Sequence, residues 1–166
     1  MELDLGVASF IRNGDILPGD HRPSMFADVD YNTDEEDMTI NVSDAGDVQI
    51  FAKMYVGSNE QPFNWLFDTG SSWLWVNSRV CGNCNPSLPR FDERQSETFK
   101  FYNVIYDLHY GSADIYGYGA HDKVCILPVE CADDFSMVAV GYQNGANGIQ
   151  FSGLVGMSPQ SFDPNC

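Results

Sequence analysis

Basic residues are scarce in this sequence: eight lysines and arginines stand against 24 acidic residues, which gives a formal net charge of −16. A surface of that sign repels phosphate backbones, so we do not expect a nucleic-acid partner. The acids are unevenly placed, because residues 1–47 hold 12 of them and only two bases. We predict that residues 1–47 form an acidic leader that is extended or partly disordered. A pI near 4.1 fits a protein that works at acid pH, although solubility alone also explains such a charge.

Long apolar runs are also missing. No run approaches the ~20 residues that a membrane span requires, so we do not expect a membrane partner. Residues 1–10 lack the basic start and the apolar core of a signal peptide. If the protein is secreted, we expect its leader peptide to lie outside this sequence.

Helical periodicity is not convincing over three turns anywhere in the chain, and we find no internal repeat. Short apolar runs instead alternate with polar residues, and they are separated by turns that draw on the 15 glycines and eight prolines. Such spacing predicts an all-β fold, either a sandwich or a closed barrel. The predicted strands cover residues 48–56, 63–67, 73–76, 104–110, 124–126, 135–140 and 151–157.

Patterns that would hold a metal ion are incomplete. Residues 28–32 imitate the start of a calcium loop, but Thr33 replaces the turn glycine and Thr39 replaces the bidentate glutamate. Cys81-x-x-Cys84 could belong to a zinc site, but such a site needs a second pair at matching spacing. The five cysteines, an odd number that leaves one unpaired or paired outside the chain, are Cys81, Cys84, Cys125, Cys131 and Cys166. We predict no metal site and no cofactor.

The most informative stretch runs from Phe67 through Asp68 to Ser72 and reads FDTGSS. An acid directly follows a predicted buried strand, at a turn that contains a glycine. Gly70 lets the backbone bend tightly and brings amide N–H groups near the carboxylate, and Ser71 can hydrogen-bond it. This arrangement suits an acid that is kept in a fixed protonation state. An isolated Asp-Thr-Gly triplet is more typical of a turn aspartate that caps local amides than of a catalytic one.

The longer string from Phe67 to Val76, FDTGSSWLWV, resembles the first active-site signature of pepsin-like aspartic proteases. Other matches follow the order of that family and cover about residues 48–160. They are Tyr55-Val56-Gly57 with Gln61-Pro62-Phe63, Phe91 with Ser96-x-Thr98-Phe99, Leu108-His109-Tyr110-Gly111-Ser112, Gly117 with Asp122-Lys123-Val124, and Phe151-x-Gly153-Leu154-Val155-Gly156. The resemblance implies the N-terminal lobe of the bilobal pepsin-like fold, a closed-barrel or sandwich lobe with a flap hairpin.

The resemblance also implies a role for each site residue. Asp68 would be one member of a catalytic pair of aspartates that share a proton, with Thr69, Gly70 and Ser71 supporting its loop. One member activates a water molecule and the other donates a proton to the scissile carbonyl. Tyr110, Gly111 and Ser112 would form the mobile flap over the substrate, and Trp75 would hold the hydroxyl of Tyr110 through its indole N–H.

The family pattern bears on the remaining cysteines and histidines as well. A small disulfide loop is common in the family after the Leu-Trp-Val strand, so the resemblance favours a Cys81–Cys84 disulfide, and Cys125–Cys131 is a plausible second local bridge. Cys166 is expected to lack a partner in the chain. His109 and His121 are interpreted as strand-surface residues that flank the flap.

Three positions depart from the family pattern. Ala113 stands at the last glycine of the usual Tyr-Gly-x-Gly flap, where a methyl group could narrow the cleft or stiffen the hairpin. Trp73 replaces a smaller polar residue, and Ser152 stands where an aspartate is frequent. None of the three removes a catalytic group.

A second Asp-Thr-Gly or Asp-Ser-Gly is absent, and Asp44-Ala45-Gly46 lacks an apolar strand before it. One carboxylate cannot share a proton with itself. We therefore predict a half-enzyme: residues 48–166 form the N-terminal lobe of an aspartic endopeptidase that cleaves polypeptides, truncated before the C-terminal lobe that supplies the second aspartate. This chain alone would be inactive, and the full protein would belong to the secretory pathway, outside the cell or in a lysosome or vacuole. The alternatives are an inactive, peptide-binding pseudo-protease lobe and a homodimeric protease with one signature per chain.

Overall fold

The computed structural model describes residue 40 and residues 42–45, 49–145 and 149–158. Most of the acidic leader predicted for residues 1–47, together with Cys166, lies outside these residues. The described chain contains eight β-strands and one turn of 3-10 helix, and no α-helix. The strands are β1 Ser43–Ala45, β2 Gln49–Val56, β3 Gln61–Asp68, β4 Leu74–Asn77, β5 Lys100–His109, β6 Asp114–Leu127, β7 Glu130–Asn144 and β8 Gly153–Gly156, and the 3-10 turn is Glu93–Gln95. The prediction of an all-β fold is confirmed.

Three strands extend well beyond the predicted runs. The runs 104–110, 124–126 and 135–140 correspond to parts of β5, β6 and β7, which begin or end several residues further out. Most of β5 and the first half of β7 are exposed to solvent. Apolar alternation marks only the part of a strand that faces a core, so the exposed extensions of β5 and β7 carry no such signal. The extension of β6 is largely buried, but most of its buried positions hold small or polar residues, namely Gly117, Gly119, Ala120 and Asp122, so it shows no apolar alternation either.

The eight strands form one sheet that closes on itself. Its order is β1-β2-β3-β8-β4-β7-β6-β5, and an additional pairing of β2 with β6 joins the two sides into a barrel. β8 runs parallel to β3 and antiparallel to β4, while β4 runs parallel to β7. The short strands β4 and β8 therefore lie side by side between β3 and β7, where they join the β2–β3 pair to the β6–β7 pair.

Strand β4 separates two apolar cores. All four of its residues are buried, which fits a continuous apolar run that is covered on both faces. Leu74 and Val76 belong to the first cluster, which includes Trp65, whereas Trp75 belongs to the second. The second cluster also contains the two sulfurs of the 81–84 loop and extends below the β5–β6 hairpin.

The Ser-x-Thr segment is fixed by a buried acid on β6. Asp122 is fully buried, and its Oδ1 accepts hydrogen bonds from Ser96 Oγ at 2.9 Å and from Thr98 Oγ1. The backbone amide of Lys123 donates to the same oxygen at 2.8 Å. Ser96 Oγ also accepts from the amide of Ser58 at 2.9 Å. A buried carboxylate needs such hydrogen-bond donors. Because two of them come from Ser96 and Thr98, the bonds attach the connection before β5 to the barrel.

Both local disulfides expected from the sequence are present, Cys81–Cys84 and Cys125–Cys131. The first closes a loop after β4, and Arg90 fastens that loop by donating to the carbonyl oxygens of Cys81 at 2.6 Å and Cys84 at 2.8 Å. The second joins facing residues of β6 and β7. Glu60 lies beside Cys125 and Cys131, but their sulfurs are bonded to each other and are not available as thiolate ligands.

Candidate active site

Asp68 is the last residue of β3, and it pairs in parallel with Gly156 at the end of β8. Its side chain is partly buried, and its Oδ1 accepts a hydrogen bond of 2.9 Å from the amide of Gly70. Its carbonyl oxygen accepts another of 2.8 Å from the amide of Met157. The carboxylate is thus anchored both by the strand before it and by the turn after it.

The loop that follows Asp68 is held by the end of β8. The amide of Gly156 donates to the carbonyl oxygen of Trp73 at 2.8 Å, and the amide of Ser158 donates to that of Ser71 at 2.9 Å. A Cβ atom on Gly156 would lie 2.4 Å from the amide nitrogen of Trp73 and 2.6 Å from the oxygen of Ser71. The backbones approach so closely that only glycine fits at this position.

The glycine at the start of β8 is required for a similar reason. A Cβ atom on Gly153 would lie 2.6 Å from the ring of Trp65 and 2.8 Å from the carbonyl oxygen of Trp75. The Gly-Leu-Val-Gly stretch therefore presents a bare backbone at both ends. It leaves room for Trp65 on one side and for the loop of Asp68 on the other.

A hairpin of β5 and β6 carries the predicted flap. Its turn is closed by two hydrogen bonds, from the amide of Tyr110 to the oxygen of Ala113 at 2.8 Å and in the reverse direction at 3.4 Å. Gly111 and Ser112 form the exposed tip. The indole Nε1 of Trp75 donates to the hydroxyl of Tyr110 at 3.1 Å. This bond links the flap to β4, the neighbour of the strand that holds the Asp68 loop.

The phenol of Tyr110 lies in a partly dry environment near the carboxylate. Burial raises the pKa of Tyr110, and the charge of Asp68 adds to that rise, whereas contacts with Ser71 and Trp75 lower it. Because the indole of Trp75 is only a donor, the phenol oxygen accepts that bond and keeps its own proton for donation. Ser71 Oγ is buried and has no hydrogen-bond partner of ordinary geometry among the described residues. The phenol of Tyr110 therefore lies between the indole of Trp75 and the hydroxyl of Ser71, next to the loop of Asp68.

The three departures from the family pattern have simple structural explanations. Ala113 is buried in the second core, and its backbone is not in the left-handed region, so its methyl group introduces no strain. Trp73 packs against Tyr106 of β5, with ring centroids 4.7 Å apart. Ser152 is fully buried and donates to the carbonyl oxygen of Pro89 at 2.8 Å, which ties the start of β8 to the disulfide loop.

The structure brings together residues that lie far apart in the sequence. Asp68 at the end of β3 and Thr69, Gly70 and Ser71 after it form one turn. Tyr110 of the flap contacts Ser71 of that turn and also Trp75 of β4. The four cysteines predicted to form disulfides lie away from this turn. Cys81 and Cys84 belong to the second apolar core below the flap, and Cys125 and Cys131 lie at the far end of the β6–β7 hairpin.

Sequence reasoning missed a set of contacts around the flap. Asn144 at the end of β7 donates to Asp114, and Asp114 lies against His109. Phe151 packs below Trp75, with ring centroids 5.9 Å apart. No local motif marks these contacts, because they depend on the register between strands that the sequence does not state.

Comparison with known proteins agrees with this geometry. A family model described as eukaryotic aspartyl protease matches residues 49–164. Chymosin of Camelus dromedarius is 41% identical over 81 residues, 48% of this chain and 21% of that protein. Chymosin of Bos taurus is 34% identical over 116 residues, 68% of this chain and 30% of that protein. Plasmepsin IV of Plasmodium falciparum (isolate 3D7) is 27% identical over 144 residues, 81% of this chain and 30% of that protein. The chain matches less than a third of the length of these relatives. The residues that the family model matches include the Asp68 loop, the flap and β8. The chain belongs to the eukaryotic aspartyl protease family.

Proposed function

We propose that this chain is one half of a peptide-bond hydrolase in which Asp68 is one of two catalytic carboxylates. The observation that carries the proposal is the position of Asp68 at the end of a buried strand, with Gly70 donating to its Oδ1 at 2.9 Å. The flap residue Tyr110 lies close enough for the charge of Asp68 to affect its pKa. A fixed acid below a movable hairpin is suited to hold an extended peptide.

The chemistry follows from the requirements of amide hydrolysis. A charged carboxylate removes a proton from a water molecule while the water oxygen attacks the scissile carbonyl carbon. A second, protonated carboxyl group donates to the carbonyl oxygen, and a tetrahedral diol forms. Proton transfer to the leaving nitrogen then breaks the C–N bond. Two carboxyl groups at short distance titrate in two separate steps, so one stays charged while the other stays protonated.

Asp68 supplies one of these groups, and the second has to come from another part of the assembly. We assign it to a C-terminal lobe with a second Asp-Thr-Gly or Asp-Ser-Gly turn, in a protein whose residues 48–166 form the N-terminal lobe. Residues 1–47 would be a separate acidic leader. The flap tip, Gly111 and Ser112, would close over the peptide and exclude water, with Trp75 holding Tyr110 in place.

The substrate would be a polypeptide with apolar side chains near the scissile bond. The second core, which lies below the flap, is flanked by partly buried residues that offer apolar surface, namely Phe51, Leu66, Trp73, Tyr106, Tyr110 and Ile149. The two disulfides favour an oxidising compartment, so we place the protein in the secretory pathway, outside the cell or in a lysosome or vacuole. Among the described residues, no helix is long and apolar enough to cross a membrane.

The proposal is tested by measuring cleavage of an unfolded protein at about pH 3–5, the region where such a pair titrates. The assay uses this chain, any longer product that contains it, and the Asp68→Ala variant of each. We expect the longer product to cleave, the Asp68→Ala variant to lose activity, and a statine peptide to inhibit. Activity that survives Asp68→Ala would refute the assignment of Asp68.

Because the chain holds a single Asp-Thr-Gly signature, two other functions are candidates, a homodimeric protease and an inactive pseudo-protease lobe. A homodimeric protease would show activity from this chain alone that rises with the square of its concentration at low concentration. A pseudo-protease lobe would bind the statine peptide without cleavage in any longer product. Sedimentation of the chain, with and without that peptide, separates the two.

A further inference from the structure

We propose that His109, Asp114 and Asn144 form a latch that holds the flap against the end of β7, and that His109 is a positioning residue for the flap. The consequence for catalysis rests on the proposed function. The latch itself is a property of this chain and is tested without any activity measurement.

The three residues lie in one row across three neighbouring strands. His109 ends β5 and Asp114 begins β6, and the two face each other at the neck of the flap, with only residues 110–113 between them. His109 Nδ1 and Asp114 Oδ1 are 2.8 Å apart. Asn144, which ends β7, lies opposite Asp114 and donates from Nδ2 to its Oδ2 at 3.2 Å. Both oxygens of Asp114 are therefore engaged, one on each side.

The residue after Asn144 contacts the flap turn directly. Gly145 has φ +79°, and a Cβ atom on it would lie 3.1 Å from the carbonyl oxygen of Ser112 and 3.6 Å from Cα of Ala113. The chain after β7 thus passes directly against the turn. The latch joins the two arms of the hairpin and fixes them to this third strand, so breaking it would allow the turn to lift away from β7.

Several titratable groups face His109. On its own strand, Asp107 Oδ1 is 3.5 Å from His109 Nε2, so the imidazole lies between two carboxylates. On β6 it faces Asp114, with Tyr116 on the same strand next to Tyr142 of β7, at a centroid distance of 5.8 Å. The only latch residue on β7 is the uncharged Asn144. No lysine or arginine forms an ion pair with these groups in the described chain, so the protonated imidazole is the cation of the cluster.

The latch has a defined pH window. The hydrogen bond with Asp114, and then the charge of Asp107, raise the pKa of His109, while the same hydrogen bond lowers the pKa of Asp114. The pair is fully charged between the ordinary aspartate value of about 3.9 and the ordinary histidine value of about 6.5. It weakens as pH rises through the raised pKa of His109, and again as pH falls through the lowered pKa of Asp114. Mildly acid pH therefore holds the flap most firmly.

The expected size of the effect is modest. His109 is exposed, and exposed ion pairs shift an equilibrium by roughly two- to fivefold. Flap opening is an equilibrium of this kind, so its open fraction changes by the same factor.

The test is amide hydrogen exchange of this chain, followed by NMR from about pH 4.5 to 8.5 and corrected for intrinsic exchange rates. The reporter is the amide of Tyr110, which is hydrogen-bonded to Ala113 at 2.8 Å. The amide of Leu66 in β3 reports on global opening. We expect the protection of Tyr110 relative to Leu66 to fall roughly two- to fivefold as pH rises through the titration of His109. In His109→Gln, we expect the protection of Tyr110 to be as low at every pH as it is in the unmodified chain above the titration of His109.

His121 provides a matched control, because its Nδ1 lies 3.2 Å from Asp134 on the same sheet. It pairs with Lys100 at the end of the β5–β6 hairpin opposite the flap turn, so the expectation that it flanks the flap is wrong. His121→Gln should leave the pH profile of Tyr110 unchanged. A flat profile in the unmodified chain, or a fall that persists in His109→Gln, would overturn the latch.

A second variant checks the cause. In Asp114→Asn, the imidazole titration of His109 should move down toward the ordinary value, and the protection of Tyr110 should lose its pH dependence. An unmoved His109 titration would show that the pair does not form. The two proposals can fail separately. If Asp68 is not a catalytic residue, the hydrogen-exchange results still establish the latch, and if the latch fails, the cleavage assay still tests Asp68.

Discussion

Gly156→Ala tests whether β8 shapes the loop of Asp68. The new Cβ atom would lie 2.4 Å from the amide nitrogen of Trp73, 2.6 Å from the oxygen of Ser71 and 2.6 Å from the carbonyl carbon of Ser72. All three are backbone atoms, so no side chain can rotate to relieve the clash. Either β8 or the loop has to move, and the movement stretches the bonds from Gly156 to Trp73 and from Ser158 to Ser71.

The cost can be worked out from those contacts. Overpacking of a close-fitting site costs about 1–3 kcal/mol, and each weakened hydrogen bond adds about 1 kcal/mol, so we expect a loss of about 3–5 kcal/mol in the free energy of unfolding. A domain of this size is stable by about 5–15 kcal/mol in total. The substitution should therefore lower the urea midpoint strongly while the slope of the transition stays the same.

Gly82→Ala is the matched control, because an added Cβ atom there meets nothing within 4 Å and the backbone is not in the left-handed region. We expect it to change stability by less than about 0.5 kcal/mol. Equal urea midpoints for Gly156→Ala and Gly82→Ala would refute the close approach of β8 to the loop.

Two further predictions concern groups that position the flap and the barrel. Trp75→Phe keeps an aromatic ring but removes the indole N–H that donates to Tyr110. Because this bond lowers the pKa of the phenol, NMR titration of Tyr110 should show a further rise of its pKa. An unchanged or lower pKa would contradict the bond. Asp122→Ala removes the shared acceptor of the Lys123 amide and of the hydroxyls of Ser96 and Thr98, although these hydroxyls lie 3.1 Å apart and can bond to each other. The free energy of unfolding should therefore fall by about 1–3 kcal/mol in urea denaturation. Asp134→Ala, on an exposed part of the same sheet, should cost far less, and equal losses would show that Asp122 is not the anchor.

The sequence was sufficient to predict those parts of the fold in which local pattern and burial coincide. The run 73–76 is apolar throughout, and β4 is indeed buried on both faces. Asp68 follows an alternating strand and precedes a glycine, and both features are visible within six residues. The sequence also contains the two glycines of β8, although only the structure shows that they make room for Trp65 and for the Asp68 loop.

The latch and the strand extensions could not be predicted in the same way. Asn144 meets Asp114 only because β6 and β7 pair in a particular register, which includes three irregularities along its length. A slip of one residue would place Asn144 on the opposite face of the sheet. His109 and Asn144 are exposed and do not constrain that register by burial, and the buried positions of β6 before Val124 are mostly glycine, alanine and aspartate. The local pattern therefore records neither the row across β5, β6 and β7 nor the full length of the strands.

The position of the flap relative to Asp68 is set by the barrel. The end of β8 holds the Asp68 loop through backbone bonds, β4 pairs with β8, and Trp75 on β4 donates to Tyr110 at 3.1 Å. Each step is a backbone ladder or a bond from a buried side chain, so contacts within this lobe place the closed flap relative to the acid. The half-site is therefore preorganised within this lobe, and a missing second carboxylate, rather than a disordered loop, is what would make the chain inactive.

If a separately produced C-terminal lobe restores cleavage when it is mixed with this chain, and fails with Asp68→Ala, that preorganisation is demonstrated. If the chain instead needs the second lobe during folding, the barrel does not fix the half-site.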